Sequence, residues 1–332
     1  MKNTKRWQII GCALLAASAM VSVQAQTPST SAVQYPVKLV RLITGSTVGG
    51  AADITARQIG TKLSEAFGQQ VLIDNRPGLA GMFANELTAK SPADGYTLLF
   101  QPGSFITVST QLNARGGAWD TLKYLAPVIQ VSAYHFVLVA HPSVPARTVK
   151  QLIAVARAQP RALTFVSSGV GSNFHLAGEL FKLGAKVDLW HVPYKGSPPA
   201  IIDLIAGRAE LMFTQVPPVL PYIRNGRLRA LGVTGTTHHV QLPEVPTIAD
   251  AALPGYELSG SEGILAPLNA PRDIVMKVNA ITNTILLSLE MKETWAGKAV
   301  EYTPNTPEQY AVKIREEYDK TTVVLKAAGI KS

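Results

Sequence analysis

The sequence predicts an α/β protein of two lobes joined by a pair of extended strands, and three observations carry that reading. Short β-branched runs alternate with amphipathic helical stretches along almost the whole chain, the pattern of parallel sheets covered on both faces. The alternation reads strand, helix, strand, helix, strand up to about residue 100 and starts afresh at 147. Two extended runs, 127–140 and 256–267, bracket the second unit and are too long for simple edge connections.

The elements follow in order. A strand ending at Thr44 gives way to a small-residue loop, 45–50, and then to a helix over 51–67 with Ala56, Ile59, Leu63 and Phe67 on one stripe. A strand at 70–74, a helix near 79–90 and a strand at 96–100 complete the first unit. The second unit reads as helix 148–158, strand 163–167, helix 173–184, strand 189–192, helix 197–206, strand 210–213, helix 217–224 and strand 229–233. Helices at 272–288, 291–297 and 307–328 are expected to return to the first lobe. The division is then 26–126 plus 253–332 for the first lobe and 127–252 for the second.

At the N-terminus, Lys2, Lys5 and Arg6 precede an apolar run over 9–23, and Val23-Gln24-Ala25 supplies a cleavage site before Gln26. This is the layout of a secretory signal peptide, residues 1–25, removed after Ala25. The apolar run is shorter than the ~20 residues of a membrane span. Cys12, the single cysteine, lies within it, so the remaining chain has no disulfide, thiol nucleophile or thiolate metal site. The formal net charge of +9 comes from scattered bases without a run of like charge, which speaks against nucleic acid as a partner.

Catalytic constellations are missing. His135, His141, His175, His191, His238 and His239 lack the spacing of a His-Glu-x-x-His zinc site. Ser259-Gly260-Ser261-Glu262-Gly263 is one glycine short of a nucleophile elbow and sits in an expected crossover. Gly169-Val170-Gly171 lacks the third glycine of a dinucleotide loop, and no phosphate-loop lysine follows either glycine loop. No enzymatic activity, metal or cofactor is expected.

What the sequence does hold is hydrogen-bond chemistry suited to an anion. Gly45, Ser46, Thr47, Val48 and Gly49, beside Thr44 and Gly50, form a bare loop at a helix start, where backbone N–H groups and the positive dipole end favour negative charge. Ser168, Gly169, Gly171, Ser172 and Asn173 repeat the arrangement in the second unit. Either loop alone reads as a turn and helix cap, with Ser172 or Asn173 as the capping residue. Two of them, one per lobe, point to a ligand gripped from both sides. Ser104 and Gln215 each follow a strand at its C-terminal end, the edge where open α/β sheets bind ligands. Asp53 and Arg57 read as a structural i, i+4 pair, His175 as a buried support rather than a pocket wall, and Lys182 and Lys195 as solvated.

At the same residues the chain resembles a known family. Tyr35-Pro36-x-Lys38, Gly49-Gly50-x-x-Asp53-x-x-Ala56-Arg57, Asn75-Arg76-Pro77-Gly78-x-x-Gly81 and Asp94-Gly95-Tyr96-Thr97-Leu98-Leu99 resemble the extracytoplasmic receptors of tripartite tricarboxylate transporters, the Bug family. So do Gly169-x-Gly171-Ser172-x-x-His175, Val192-Pro193-Tyr194-Lys195-Gly196, Pro243-Glu244-Val245-Pro246-Thr247 and Pro254-Gly255-Tyr256. The resemblance implies a two-lobed periplasmic binding protein of the Venus-flytrap, type II-like kind with two hinge strands. It also implies a monomer, a small organic carboxylate as ligand (a dicarboxylate, tricarboxylate or aromatic carboxylate) and membrane permease subunits as partners. A sensor-kinase periplasmic domain is the alternative partner. Ligand carboxylates would be held by 45–50 and 168–173. The chain departs from the family pattern at three places: Gly45-Ser46-Thr47-Val48 replaces a Pro-Phe and proline-rich turn, Phe213-Thr214-Gln215 a Phe-Asp pair, and Ser261-Glu262 an aromatic pair before Gly263.

Overall fold

The alternating segments fold into two separate five-stranded sheets. The computed structural model describes residues 34–111, 121–296 and 302–330. The expected signal peptide, its cleavage site after Ala25 and Cys12 lie outside the described residues. Every element below belongs to one unit, Pro36–Ser332.

In chain order, β1 (Val40–Thr44), α1 (Ala51–Phe67), β2 (Val71–Asn75), α2 (Met82–Ala89) and β3 (Thr97–Pro102) lead into α3 (Gly103–Gln111), α4 (Thr121–Tyr124) and β4 (Leu125–His135). The second lobe holds β5 (Val137–Ala140), α5 (Val149–Ala158), β6 (Thr164–Ser167), α6 (Asn173–Ala185), β7 (Trp190–Pro193), α7 (Ser197–Ile205), β8 (Leu211–Thr214), α8 (Val216–Arg224), β9 (Arg229–Val233) and α9 (Ile248–Ala251). The chain then returns through β10 (Ser259–Pro267) to α10 (Arg272–Leu287), α11 (Leu289–Ala296) and α12 (Pro307–Ala327).

The sheet orders are β2-β1-β3-β10-β4 and β7-β6-β8-β5-β9. β1 lies parallel to both β2 and β3. β10 runs antiparallel to β3 and β4, and β5 antiparallel to β8 and β9. The sheets are therefore mixed, where the alternation predicted parallel ones. A strand that arrives from the other lobe enters at the sheet edge facing that lobe, which is where the parallel strands end, so it has to run against them. β4 is paired with β10 along its length, from Leu125 opposite Pro267 to His135 opposite Ser259. Residues 127–135, which the sequence reading assigns to the second lobe, accordingly pair into the first sheet.

The two crossings are tied together. Thr234 Oγ1 accepts from Phe136 N–H at 2.8 Å and donates to Leu258 O at 2.7 Å, while Thr234 N–H donates to Phe136 O and Leu258 N–H to Thr234 O. Alternate residues of β5 serve opposite faces of the second sheet, as strand geometry requires. Leu138 and Ala140 pack with α5 and α6, Val137 and Val139 with α7 and α8. In the first lobe Ile43, Leu99 and Leu265 pack against Tyr310 and Ile314 of α12. A further apolar group, Val108, Leu176, Val324 and Leu325, joins α3 and α12 to α6 across the lobes.

Candidate functional site

A cavity of about 720 Å³ lies between the two sheets. It is bordered by the starts of five helices, with Ala51 and Ala52 of α1, Ser104 of α3, Ser172 and Asn173 at α6, Gly196 and Ser197 at α7, and Gln215 at α8. The first turn of a helix leaves N–H groups without intrahelical acceptors and carries roughly half a positive charge. Five such ends around one space make it favourable to an anion, although α7 and α8 each carry two prolines in the first turn, Pro198-Pro199 and Pro217-Pro218, and so present fewer N–H groups than α1, α3 and α6. Lys195, exposed as the sequence reading expects, also lines the cavity and adds a positive charge.

The loop after β1 spends most of its own amides internally. Gly45 N–H donates to Gln101 Oε1 at 3.2 Å, and Gln101 Nε2 donates to Gly81 O and to Asn85 Oδ1. Ser46 N–H donates to Thr44 Oγ1, Gly50 N–H to Thr47 O, and Gly49 N–H to Asp53 Oδ2 at 2.9 Å. Gly45, Ser46 and Thr47 line the cavity; Val48, 69% exposed, and Gly49 do not. The donors this loop presents are thus the Ser46 and Thr47 hydroxyls and the first-turn amides of α1, not the glycine amides. Burial opposes ionisation of Asp53, but hydrogen bonds from Arg57, Asn75 and Gly49 hold its carboxyl below the ordinary value, so the Asp53–Arg57 pair anchors the loop.

In the second loop, Ser172 caps α6: its Oγ accepts from His175 N–H at 3.3 Å and donates to Gly169 O at 2.8 Å. Gly171 N–H donates to His175 Nδ1 at 3.1 Å. Gly171 does not line the cavity. At φ +81° it lies so close to α3 that a Cβ would come within 2.5 Å of Val108 Cγ1, which makes it a contact between lobes. Ser168, Gly169, Ser172 and Asn173 do line the cavity. His175 stacks on His191 with ring centroids 3.9 Å apart, and His191 stacks on Phe165 at 4.7 Å. Burial, with Lys182 nearby, lowers the His175 pKa to about 4; burial, with His175 and Lys182, lowers that of His191 to about 3. The pair is a neutral prop beneath the loop.

The floor is polar. Tyr134 of β4, Gln215 and Glu262 of β10 line it together. Gln215 is the residue ahead of α8, makes no capping bond with its side chain, and stands beside both the Tyr134 hydroxyl and the Glu262 carboxyl. Burial, then the Glu262 charge, push the Tyr134 hydroxyl pKa well up. Sequence reasoning did not single out Tyr134, Tyr194, Ser197 or the 77–81 segment, all of which border the cavity. The Asn75-Arg76-Pro77-Gly78 motif was a signal for the last of these, since Leu79 and Ala80 adopt left-handed backbone there.

With this geometry in place, the family model described as "Tripartite tricarboxylate transporter family receptor" matches residues 55–330. The chain belongs to that family. This receptor is 36% identical over 313 residues to the UPF0065 protein in the tcbD-tcbE intergenic region of Pseudomonas sp. (strain P51), covering 92% of this chain and 91% of the relative. It is 32% identical over 332 residues to Protein BugT of Bordetella pertussis, covering 100% and 99%. Among solved structures, R. palustris Rpa4515 with adipate is similar to the receptor with a TM-score of 0.84 and 34% identity, covering 90% of this chain and 99% of that one. The two-lobed periplasmic-binding fold expected from the sequence is the fold of the receptor.

Proposed function

We propose that this chain is a periplasmic receptor that binds a small organic carboxylate between its lobes and delivers it to a membrane permease of the tripartite tricarboxylate type. The observation that carries the reading is the convergence of five helix starts, with the side chains of Ser46, Thr47, Ser104, Ser168, Asn173 and Gln215, on one cavity shared by both lobes. Family membership and the similar structure of R. palustris Rpa4515 with adipate support it. Hydrogen bonds to a charged group contribute ~1.5–3 kcal/mol each. A ligand contacting both lobes shifts the open–closed equilibrium only through such differential contacts. Export through the segment 1–25 places the receptor where the permease is reached from outside the cytoplasm.

A thermal-shift screen against dicarboxylates, tricarboxylates and aromatic carboxylates tests the ligand class, because a ligand of the folded state raises the melting point by mass action. Uptake of the labelled ligand by cells with and without the gene tests the partner. Loss of uptake supports the permease. Unchanged uptake with loss of a transcriptional response supports the sensor-kinase alternative.

A further inference from the structure

The cavity carries an acidic group at its floor. Glu262 is 1% exposed, set in β10 between Pro102 of β3 and Ser132 of β4, and it lines the cavity. Its Oε2 accepts from Ser132 Oγ at 3.0 Å. Its Oε1 is buried without a partner in hydrogen-bond geometry, with the side chains of Tyr134, Gln215 and Thr55 nearby. A carboxylate oxygen left unpaired in a buried site is costly, so a ligand atom that donates to it gains that cost back on binding. Ser104 Oγ, 3% exposed at the same cavity, is likewise buried and unpartnered. A second carboxyl, Glu317 of α12, stands beside Ser261, the residue before Glu262, and adds to the negative potential felt by the Tyr134 hydroxyl.

Charge is therefore distributed unevenly around the cavity. The helix starts, the loop hydroxyls and Lys195 favour an anion, whereas Glu262 is, among the described residues, the one acidic group of the lining. A ligand anionic at both ends satisfies the walls and is repelled at the floor. A ligand with a carboxylate at one end and an N–H donor at the other satisfies both.

We propose that Glu262 makes this receptor select a carboxylate whose far end is a hydrogen-bond donor, a protonated amine above all, over the dicarboxylate of equal length. The inference rests on the carboxylate-receptor reading and adds the chemistry of the second end. An ion pair in a largely desolvated site is stronger than in water, and the opposite, two carboxylates in contact, disfavours the charged form of one of them.

The test is calorimetric titration at pH 8, above the value of about 7 to which burial pushes the Glu262 carboxyl. The probes are matched pairs, succinate with 4-aminobutyrate, glutarate with 5-aminopentanoate and adipate with 6-aminohexanoate, together with the simple monocarboxylates. The expected result is at least tenfold tighter binding of one amino carboxylate than of its dicarboxylate partner, and collapse of that ratio in Glu262→Gln. Wild-type protein that binds a dicarboxylate as tightly as the amino carboxylate overturns the role of Glu262 and leaves the carboxylate reading standing. A preference that survives in Glu262→Gln overturns it too. Binding of none of the carboxylates overturns the receptor reading itself.

Discussion

Thr47, in the loop ahead of α1, packs on the bare α-carbon of Gly196 ahead of α7, so the two lobes touch at the rim of the cavity. Gly196 sits at φ +100° and ψ 168°, a conformation essentially reserved for glycine, and a Cβ there would overlap the Thr47 side chain. Together with Gly171 against Val108, this contact lets the lobes meet around the ligand space.

Gly196→Ala is expected to hold the rim apart and to weaken carboxylate binding by about tenfold, ~1.4 kcal/mol. Calorimetry on the best ligand, with X-ray scattering to follow compaction on binding, checks it. Unchanged affinity and compaction would remove the rim contact from the closing mechanism.

Ser172 and Asn173 separate capping from binding. The Ser172 hydroxyl is engaged with His175 N–H and Gly169 O, so Ser172→Ala should cost ~1 kcal/mol of stability, the usual loss for a helix cap. Asn173 lines the cavity with its side chain beside the Tyr134 hydroxyl, so Asn173→Ala should act mainly on affinity. Melting curves and titrations on both variants check the split; a Ser172→Ala variant that keeps its stability and loses binding contradicts it.

The elements that follow local pattern were legible in the sequence, and those set by long-range pairing were not. α1 is the helix its 51–67 stripe predicts, and β9 is the strand read at 229–233. α3 was not legible because Ile106, Thr107 and Val108 favour strand locally; burial of 103–109 on nearly every side, with Val108 packed against α6 of the second lobe, overrides that propensity. The reversed direction of β5 and β10 depends on which lobe the strand enters from, information that no local window contains. At the site, the two loops and Gln215 were visible as residues after strand ends. Val48, Gly49 and Gly171 look like donors in sequence, yet the Val48 side chain faces solvent and the two glycine amides are bonded to Asp53 of α1 and His175 of α6, side chains of the helices that follow. The Ser261-Glu262 departure was visible, but its place on the floor follows from pairing with Ser132, 130 residues away in the chain.

Glu262 should make stability depend on pH in a defined direction. Its carboxyl, at 4.5 in the unfolded chain, is pushed by burial to about 7 in the folded one. Between those values the folded state holds the proton that the unfolded state has released, so stability falls as pH rises from about 4.5 to 7. Glu262→Gln should therefore melt higher than wild type at pH 8 and lose that advantage at pH 4.5. An equal difference at both values contradicts a buried, protonatable Glu262.

The stacked histidines act in the opposite sense. With folded values of about 4 and 3 against 6.5 unfolded, the unfolded chain takes up protons first as pH falls. Their stabilising contribution is complete above 6.5 and is lost on acidification towards 4 and below. His191→Phe, which keeps the ring stack and removes one titrating group, should show a shallower fall in melting temperature between pH 6.5 and 4, at roughly 2–4 °C for each kcal/mol removed. A slope equal to that of wild type would mean His191 is not held neutral.

The most direct measurement compares charge at constant shape: calorimetric titration of the protein with small carboxylates and with the methyl esters of the same skeletons. Helix starts and hydroxyls gathered around the cavity should give micromolar binding of at least one carboxylate and at least hundredfold weaker binding of its ester, ~2.7 kcal/mol or more. Esters that bind as tightly as the acids, or no binding by any carboxylate, would contradict an anion-binding cavity between the lobes.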